Sequence, residues 1–474
     1  MRVLKNFFYS ASYQLLAIIL PLITAPYISR VLEPEGIGIN TITYSTTQYF
    51  VLFAALGTMT YGNREIAYYQ NNKAKRSEAF WGINFLSWIT STISIIAFLI
   101  FIYFVGEYKE IYLWQGIAIF ASMFDISWYF MGVEKFKITV IRNFIIKIIT
   151  VISIFEFVNS PSDLPIYVAI LTIGMLLGNL SLWSYLKNEI YPPNFNKLNL
   201  KVHLKHTLSL FVPTITIQIY SALNRNMIGS LDSVISAGYF DQSDKIVKLS
   251  LSLVSSVGVV MLPRISNLFS TGDLKNIKRL FIKTFDIVTG VSTGICFGLM
   301  AISFKFAPFF FGNEYKFVGI IMMIEAPVII FTTWGIIFSN QYLVPLNNLK
   351  PLTSSVIIGT VVNIILNIFT IPLFGVTGAT VNIIISEFII TLCKYLSVRK
   401  DFPISILFKS IWKYLLSGII MFCVVFGINN NYKMSILQLI LQIGTGVILY
   451  SILNIILRTE LYYTLSNIIK KRKI

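Results

Sequence analysis

Pro26-Tyr27-Ile28-Ser29-Arg30-Val31-Leu32-Glu33-Pro34-Glu35-Gly36 lies between two long apolar runs. The run before it starts near Tyr9 and is interrupted by Pro21 and Pro26. The run after it goes from Ile37 to Met59 and ends on Tyr61-Gly62-Asn63-Arg64-Glu65. Each arm meets the requirement of about 20 apolar residues for a bilayer-crossing helix, and Glu33-Pro34-Glu35-Gly36 is the turn between them. The returning arm carries Thr41, Tyr44, Ser45 and Gln48 at helical spacing along one face. The same plan recurs 200 residues later, where the turn is Ser230-Leu231-Asp232-Ser233 and the polar line is Asp241, Asp244, Lys245 and Lys248. Arg64 has its counterpart in Arg264. The chain reads as a duplicated membrane unit whose polar faces meet across a shared cavity.

Composition agrees. Of 474 residues 55% are apolar and 12% charged, and mean hydropathy is +0.74. Soluble domains carry about 25% charged residues, so the chain is expected to be an integral membrane protein. Arg2 and Lys5 precede an apolar run too long for a signal-peptide core and without a small-residue cleavage site. That run is expected to be retained as the first span. The net charge of +17 falls on short segments between spans, which marks topology and contact with anionic membrane lipids rather than nucleic acid. Cys296, Cys393 and Cys423 lie in apolar runs without metal spacing. His203 and His206 lie on a polar linker and are expected to be solvated loop residues.

Apolar runs at 9–32, 37–59, 79–104, 112–133, 140–157 and 164–186 form a first group of six. A second six covers 207–229, 234–260, 282–303, 317–344, 353–374 and 377–398, and a final pair covers 407–428 and 434–457. The expected fold is all-α, with about 14 transmembrane helices. With the N-terminus cytoplasmic, 29 of the 38 lysines and arginines fall on the cytoplasmic side, 5 outside and 4 within spans. That asymmetry follows the positive-inside rule and places both termini in the cytoplasm. The expected organisation is an N-lobe at 1–190, a cytoplasmic linker at 191–206, a C-lobe at 207–400 and a C-terminal helix pair with a basic tail at 401–474. Six spans per lobe make the lobes parallel pseudo-twofold repeats around a central cavity.

Ionisable residues within spans are functional candidates, because burying one costs at least ~2.5 kcal/mol on insertion scales. Lys245 is 11 residues into its span, about 16 Å deep at 1.5 Å per residue. Lys248, Asp241 and Asp244 share its face, which either lines an aqueous cavity or forms a neutralised Asp–Lys cluster that packs helices. Asp125 and Glu387 are candidates for a counter-charge or a proton or cation site, with packing hydrogen bonds as the alternative. Lys147 is near enough to its helix end to snorkel, and Arg225 lies close to the outer face between Asn224 and Asn226. Glu325, Asn363 and Asn367 suit helix–helix hydrogen bonding. Pro21, Pro26, Pro213, Pro327 and Gly359 are positions where helices can break. The sequence carries no Walker loop, zinc spacing or catalytic triad, so no cofactor, metal or enzymatic activity is expected. Transport would run on an ion gradient, the membrane potential or the substrate's own gradient.

At this level of detail the sequence resembles a known family. Pro26 to Leu32, Gly36-Ile37-Gly38, Tyr49-Phe50, Leu56-Gly57 and Tyr61 to Ala67 are similar to the N-terminal signature of bacterial polysaccharide repeat-unit flippases. So are Asp125-Ile126-Ser127-Trp128-Tyr129-Phe130-Met131-Gly132-Val133-Glu134-Lys135-Phe136-Lys137, Arg142-Asn143 and Lys147. These are Wzx-type members of the multidrug/oligosaccharidyl-lipid/polysaccharide exporter superfamily, serving O-antigen, capsule or exopolysaccharide pathways. The resemblance implies a two-lobed bundle in the bacterial cytoplasmic membrane that moves an undecaprenyl-diphosphate-linked oligosaccharide outward by alternating access. It implies a cationic cavity and a monomer, leaves the coupling ion open between proton, sodium and none, and suggests the polymerase and other polysaccharide-assembly proteins as neighbours. The candidate cavity set is Lys245, Lys248, Asp241, Asp244, Arg225, Arg30, Lys147 and Asp125. Arg64, Glu134 and Arg264 are candidate gate or motif residues, and Asp125 and Glu387 candidate ion sites. Two rivals make different demands. A multidrug exporter for organic cations would want an acidic or aromatic cavity, against the basic eighth span. A membrane polymerase or ligase would need a large outer loop, and no outer loop exceeds about a dozen residues.

Overall fold

The computed structural model describes residues 2–187, 189–195, 198–270 and 274–463. Side chains are described for these except 2–19, 212–214, 216–217, 256–270 and 274. Arg264 and Pro213 therefore lie outside the described side chains. The described secondary structure is helical, without strands. Packing divides the chain into two compact units, Met1–Gly229 and Ser230–Ile474.

The first unit opens with α1 (Arg2–Ala55), which is two arms broken at Glu33 (φ 58, ψ 173). The break falls at the expected turn because Pro34 disfavours the α region for the residue before it. A second break at Leu56 and Gly57, both with positive φ, ends the arm four residues earlier than the apolar pattern indicates. A Cβ on Gly57 would lie 3.3 Å from the Phe211 backbone, so glycine serves both the left-handed turn and the close approach. Helix α2 (Thr58–Tyr68) follows, then α3 (Lys73–Phe104), whose first turn is capped by Asn72 accepting from Lys75 N–H at 3.1 Å.

The run at 112–133 is broken, unlike the single span expected. Helix α4 (Lys109–Met123) stops, and α5 (Ser127–Gly132) restarts after a turn in which Asp125 Oδ1 accepts Ser127 N–H at 2.9 Å. No proline or glycine marks this break; a side-chain cap replaces them. Then come α6 (Phe136–Phe157), α7 (Leu164–Trp183) and α8 (Leu200–Leu231). Asn179 ties three helices together. Its Nδ2 donates to Ala121 O at 2.8 Å, and its Oδ1 accepts from Arg142 at 3.1 Å.

In the second unit α9 (Val234–Ser270) packs on α10 (Leu274–Phe311), α11 (Lys316–Glu325) and α12 (Val328–Phe338). The last two are bent by 44° across Ala326 and Pro327. Helix α13 (Lys350–Val398) is two arms folded at Gly375 (φ 57, ψ −145), where the following N–H, that of Val376, is accepted by Asp232 Oδ2 at 2.8 Å. The arms are joined by an amide ladder in which Asn382 donates to Asn367 at 2.8 Å and Asn367 to Asn363 at 3.0 Å. Short α14 (Ile404–Leu407) leads to α15 (Ile411–Asn431) and α16 (Ile436–Ile456). Both pack on α10, with Tyr450 OH donating to Gly290 O at 2.7 Å.

Seven described helical segments are long and apolar enough to cross a membrane, and the bent α11–α12 pair makes an eighth. The chain is thus a multi-pass membrane protein. Helix α11 touches α10 through Gly319, where a Cβ would stand 2.8 Å from Ser303 O and 2.9 Å from Phe304 Cα. Backbone atoms cannot rotate aside, so Gly319→Leu is expected to destabilise the second unit by about 3 kcal/mol, the upper part of the overpacking range. Thermal aggregation of the detergent-solubilised protein, followed by gel filtration, measures it.

Candidate functional site

Helix α9 carries Asp241 and Asp244 one turn before Lys245 and Lys248. Acid-before-base at i,i+4 is the favourable order on a helix, and the pairs form: Lys245 Nζ is 2.7 Å from Asp241 Oδ2, and Lys248 Nζ 2.7 Å from Asp244 Oδ2. The carboxylates are buried, whereas the lysine side chains are 42% and 51% exposed. The face is therefore layered, with acids underneath and ammonium groups on the open side. Locally it is charge-balanced, as in the neutralised-cluster alternative, where the family resemblance implied a cationic lining. Beside it Ser243 donates to the buried Glu325 of α11 at 2.5 Å. Glu387 of α13 accepts from Thr332 of α12 at 3.0 Å.

The other candidates are dispersed over the first unit. Arg30 is exposed on the first arm of α1, Lys147 half-buried on α6 and Arg225 half-buried on α8. Neighbouring Asn226 reaches α1, accepting from Thr46 Oγ1 at 3.4 Å. The Asp125 carboxylate caps α5, and its carbonyl accepts the Trp128 indole N–H at 2.9 Å. Arg64 and Glu134 are exposed.

The two motif blocks meet. A Cβ on Gly62 would fall on the Trp128 ring, 2.6 Å from its Cδ2 and closer still to Cε3, and one on Gly132 2.7 Å from Ile66 and 2.9 Å from Asn63 O. Glycine at both positions lets α2 lie directly against α5. Arg64 and Glu134 flank this contact in sequence, Glu134 with φ 58 at the turn into α6. Lys135 Nζ is 2.5 Å from Glu189 Oε1, whose backbone carbonyl accepts from Arg76 at 2.9 Å. These links tie the starts of α3 and α6 to the segment after α7.

His203 overturns its expected solvated-loop position. Helix α8 begins at Leu200, and the imidazole is buried with Nδ1 2.8 Å from Tyr61 OH. It fills space over Gly82, whose Cβ would lie 2.5 Å from its ring. Burial, then the neighbouring His206, lowers the His203 pKa to about 4. Burial, then Glu65, raises that of Tyr61 to about 12. His206 stacks on Tyr61 at 5.9 Å between ring centres. The available signal was Tyr61 inside the motif Tyr61-Gly62-Asn63-Arg64-Glu65; nothing local marked its partner.

The chain is a helical, multi-pass membrane protein with ion pairs inside an apolar helix. More particularly, residues 3–269 match the family described as "Polysaccharide biosynthesis protein", and the chain belongs to that family. A curated relative, "Putative O-antigen transporter" of Escherichia coli (strain K12), is 23% identical over 370 residues, 76% of this chain and 88% of the relative. A protein of the same name from Shigella dysenteriae is 24% identical over 353 residues, 73% and 87% of the two chains. Among solved structures, lipid II flippase MurJ in an inward closed conformation superposes with TM-score 0.76 at 20% identity, covering 95% of this chain and 99% of that one. An inward-facing multidrug resistance MATE transporter superposes with TM-score 0.62 at 13% identity, over 81% and 93%. At these identities the two structures establish a shared fold. The resemblance to Wzx-type exporters is borne out, and the curated relatives are transporters, not enzymes.

Proposed function

We propose that this protein carries a diphosphate-linked, polyprenol-anchored oligosaccharide repeat unit from the cytoplasmic to the outer leaflet of a bacterial cytoplasmic membrane. Membership of the polysaccharide biosynthesis family supports the substrate class. The observation that carries the mechanism is the pair of half-exposed lysines, Lys245 and Lys248, held on buried carboxylates within an apolar helix. Asp241 and Asp244 orient the ammonium groups before substrate arrives. A diphosphate then docks on the open side of both, where low dielectric strengthens the charge-assisted contacts. The sugars follow through the polar interior while the lipid tail stays in the bilayer.

The fourteen apolar runs act as fourteen crossings with both termini cytoplasmic, and transport proceeds by alternating access. The breaks at Glu33, Pro327 and Gly375 are the points where helices bend. Arg225, Arg30 and Lys147 extend the cationic path, Arg64, Glu134 and Arg264 stand at the cytoplasmic gate, and Glu387 and Asp125 are sites for a coupling proton or sodium ion.

Deleting the gene and locating the lipid intermediates tests this. Single repeat units are expected to accumulate on the inner leaflet, inaccessible to external lectin. Accumulation on the outer leaflet would assign the chain to polymerisation or ligation instead. Normal polymer together with hypersensitivity to organic cations would assign it to drug export.

A further inference from the structure

A second charged site lies wholly within the second unit, away from the Asp–Lys face. Arg279 and Lys283 of α10, Lys409 and Lys413 around the start of α15, and Arg458 just past the end of α16 line one cavity of about 480 Å³. Two carboxylates share it, leaving a net charge of +3 from five cations. Asp286, buried, is taken up by Tyr414 OH at 2.7 Å, and Glu460 is at the exposed rim. Lys413 donates to Leu457 O at 2.9 Å, closing the last turn of α16. Among the described residues Arg279, Lys283, Lys409 and Arg458 make no ion pair. The two carboxylates leave a charge of +3 uncompensated in one concavity, which favours a further anion there.

The backbone points the same way. Arg458 has φ 49, the left-handed position after a helix where glycine is the usual residue. An arginine there accepts a conformational cost of roughly 1 kcal/mol and delivers a guanidinium to the cavity. The cavity stands at the same end of two apolar helices, α15 and α16, which is headgroup depth in a bilayer. Ile406, which lines it, and Trp412, next to Lys413 in the chain, are 48% and 55% exposed, an apolar surface next to the charges.

We propose that this cavity binds a phosphate group, and the exposed apolar side chains beside it favour the phosphate of an anionic phospholipid over a soluble one. Lipid bound there would brace α10, α15 and α16 at their charged ends. The inference is independent of the transported substrate.

The test is native mass spectrometry of the full-length protein in neutral detergent, titrated with phosphatidylglycerol, phosphatidylcholine or inorganic pyrophosphate. Wild type is expected to retain phosphatidylglycerol over phosphatidylcholine. Arg458→Gly with Lys409→Gln is expected to weaken that binding about 30-fold, at roughly a factor of five per surface cation. Lys350→Gln with Lys433→Gln, also exposed, should leave it unchanged. Because Arg458→Gly relaxes the left-handed residue, the first variant should melt at or above the wild-type temperature, so loss of lipid cannot be ascribed to misfolding. Pyrophosphate binding that the first variant loses, without lipid selectivity, would identify a soluble phosphate as the occupant and uphold the phosphate site. Equal binding by the two double variants overturns it.

Discussion

Replacing Lys245 and Lys248 together with glutamine is expected to reduce polymer export by about 100-fold, taking each lost charge-assisted contact as worth about 1.5 kcal/mol. The double variant alone is ambiguous, because it leaves Asp241 and Asp244 buried without their cations. Removing one partner of a buried pair destabilises by itself. The fourfold variant with Asp241→Asn and Asp244→Asn resolves this. It restores neutrality and side-chain hydrogen bonding, so its thermal stability should return to near wild type while export stays lost. If export returns with stability, the lysines only hold α9 in place. Export is read as surface polymer in a strain lacking the chromosomal copy, at matched protein levels.

The second large effect is a loss of stability in acid centred on His203. Its folded pKa, about 4, lies below the ordinary 6.5, so the unfolded chain binds the proton first. A base with a depressed folded pKa contributes full stability above pH 6.5, progressively less down to about pH 4, and a constant deficit below. A shift of that size corresponds to roughly 3 kcal/mol at most. Melting temperature in detergent should therefore fall between these pH values in wild type and fall less steeply in His203→Asn. Parallel curves would show that the proton is taken up elsewhere. The strain acts on the joint where α8 meets Tyr61 of α2.

Which features were legible in the sequence follows from where their causes lie. The turn at Glu33 was readable because Pro34 acts on its immediate neighbour. The Asp241–Lys245 and Asp244–Lys248 pairs were readable because helical spacing brings residues four apart together. The break between α4 and α5 was not, since Asp125 looks like an intramembrane charge until Ser127 N–H is seen pointing at it. His203 failed for a longer-range reason. Whether an imidazole on a polar segment is buried depends on the absent Cβ of Gly82, more than a hundred residues away. The cationic cavity of the second unit was invisible as a site, because Arg279, Lys409 and Arg458 look like ordinary topology-setting charges until three helix ends converge.

The central claim is that the chain itself transfers a diphosphate-linked glycolipid between leaflets on Lys245 and Lys248. Its direct measurement uses purified protein in liposomes holding a fluorescent polyprenyl-diphosphate oligosaccharide in both leaflets, with dithionite added outside. Wild type should let the reductant quench all the label, while empty liposomes and Lys245→Gln with Lys248→Gln should retain the inner-leaflet share. Quenching by wild type no greater than by empty liposomes, with and without an imposed ion gradient, would contradict it.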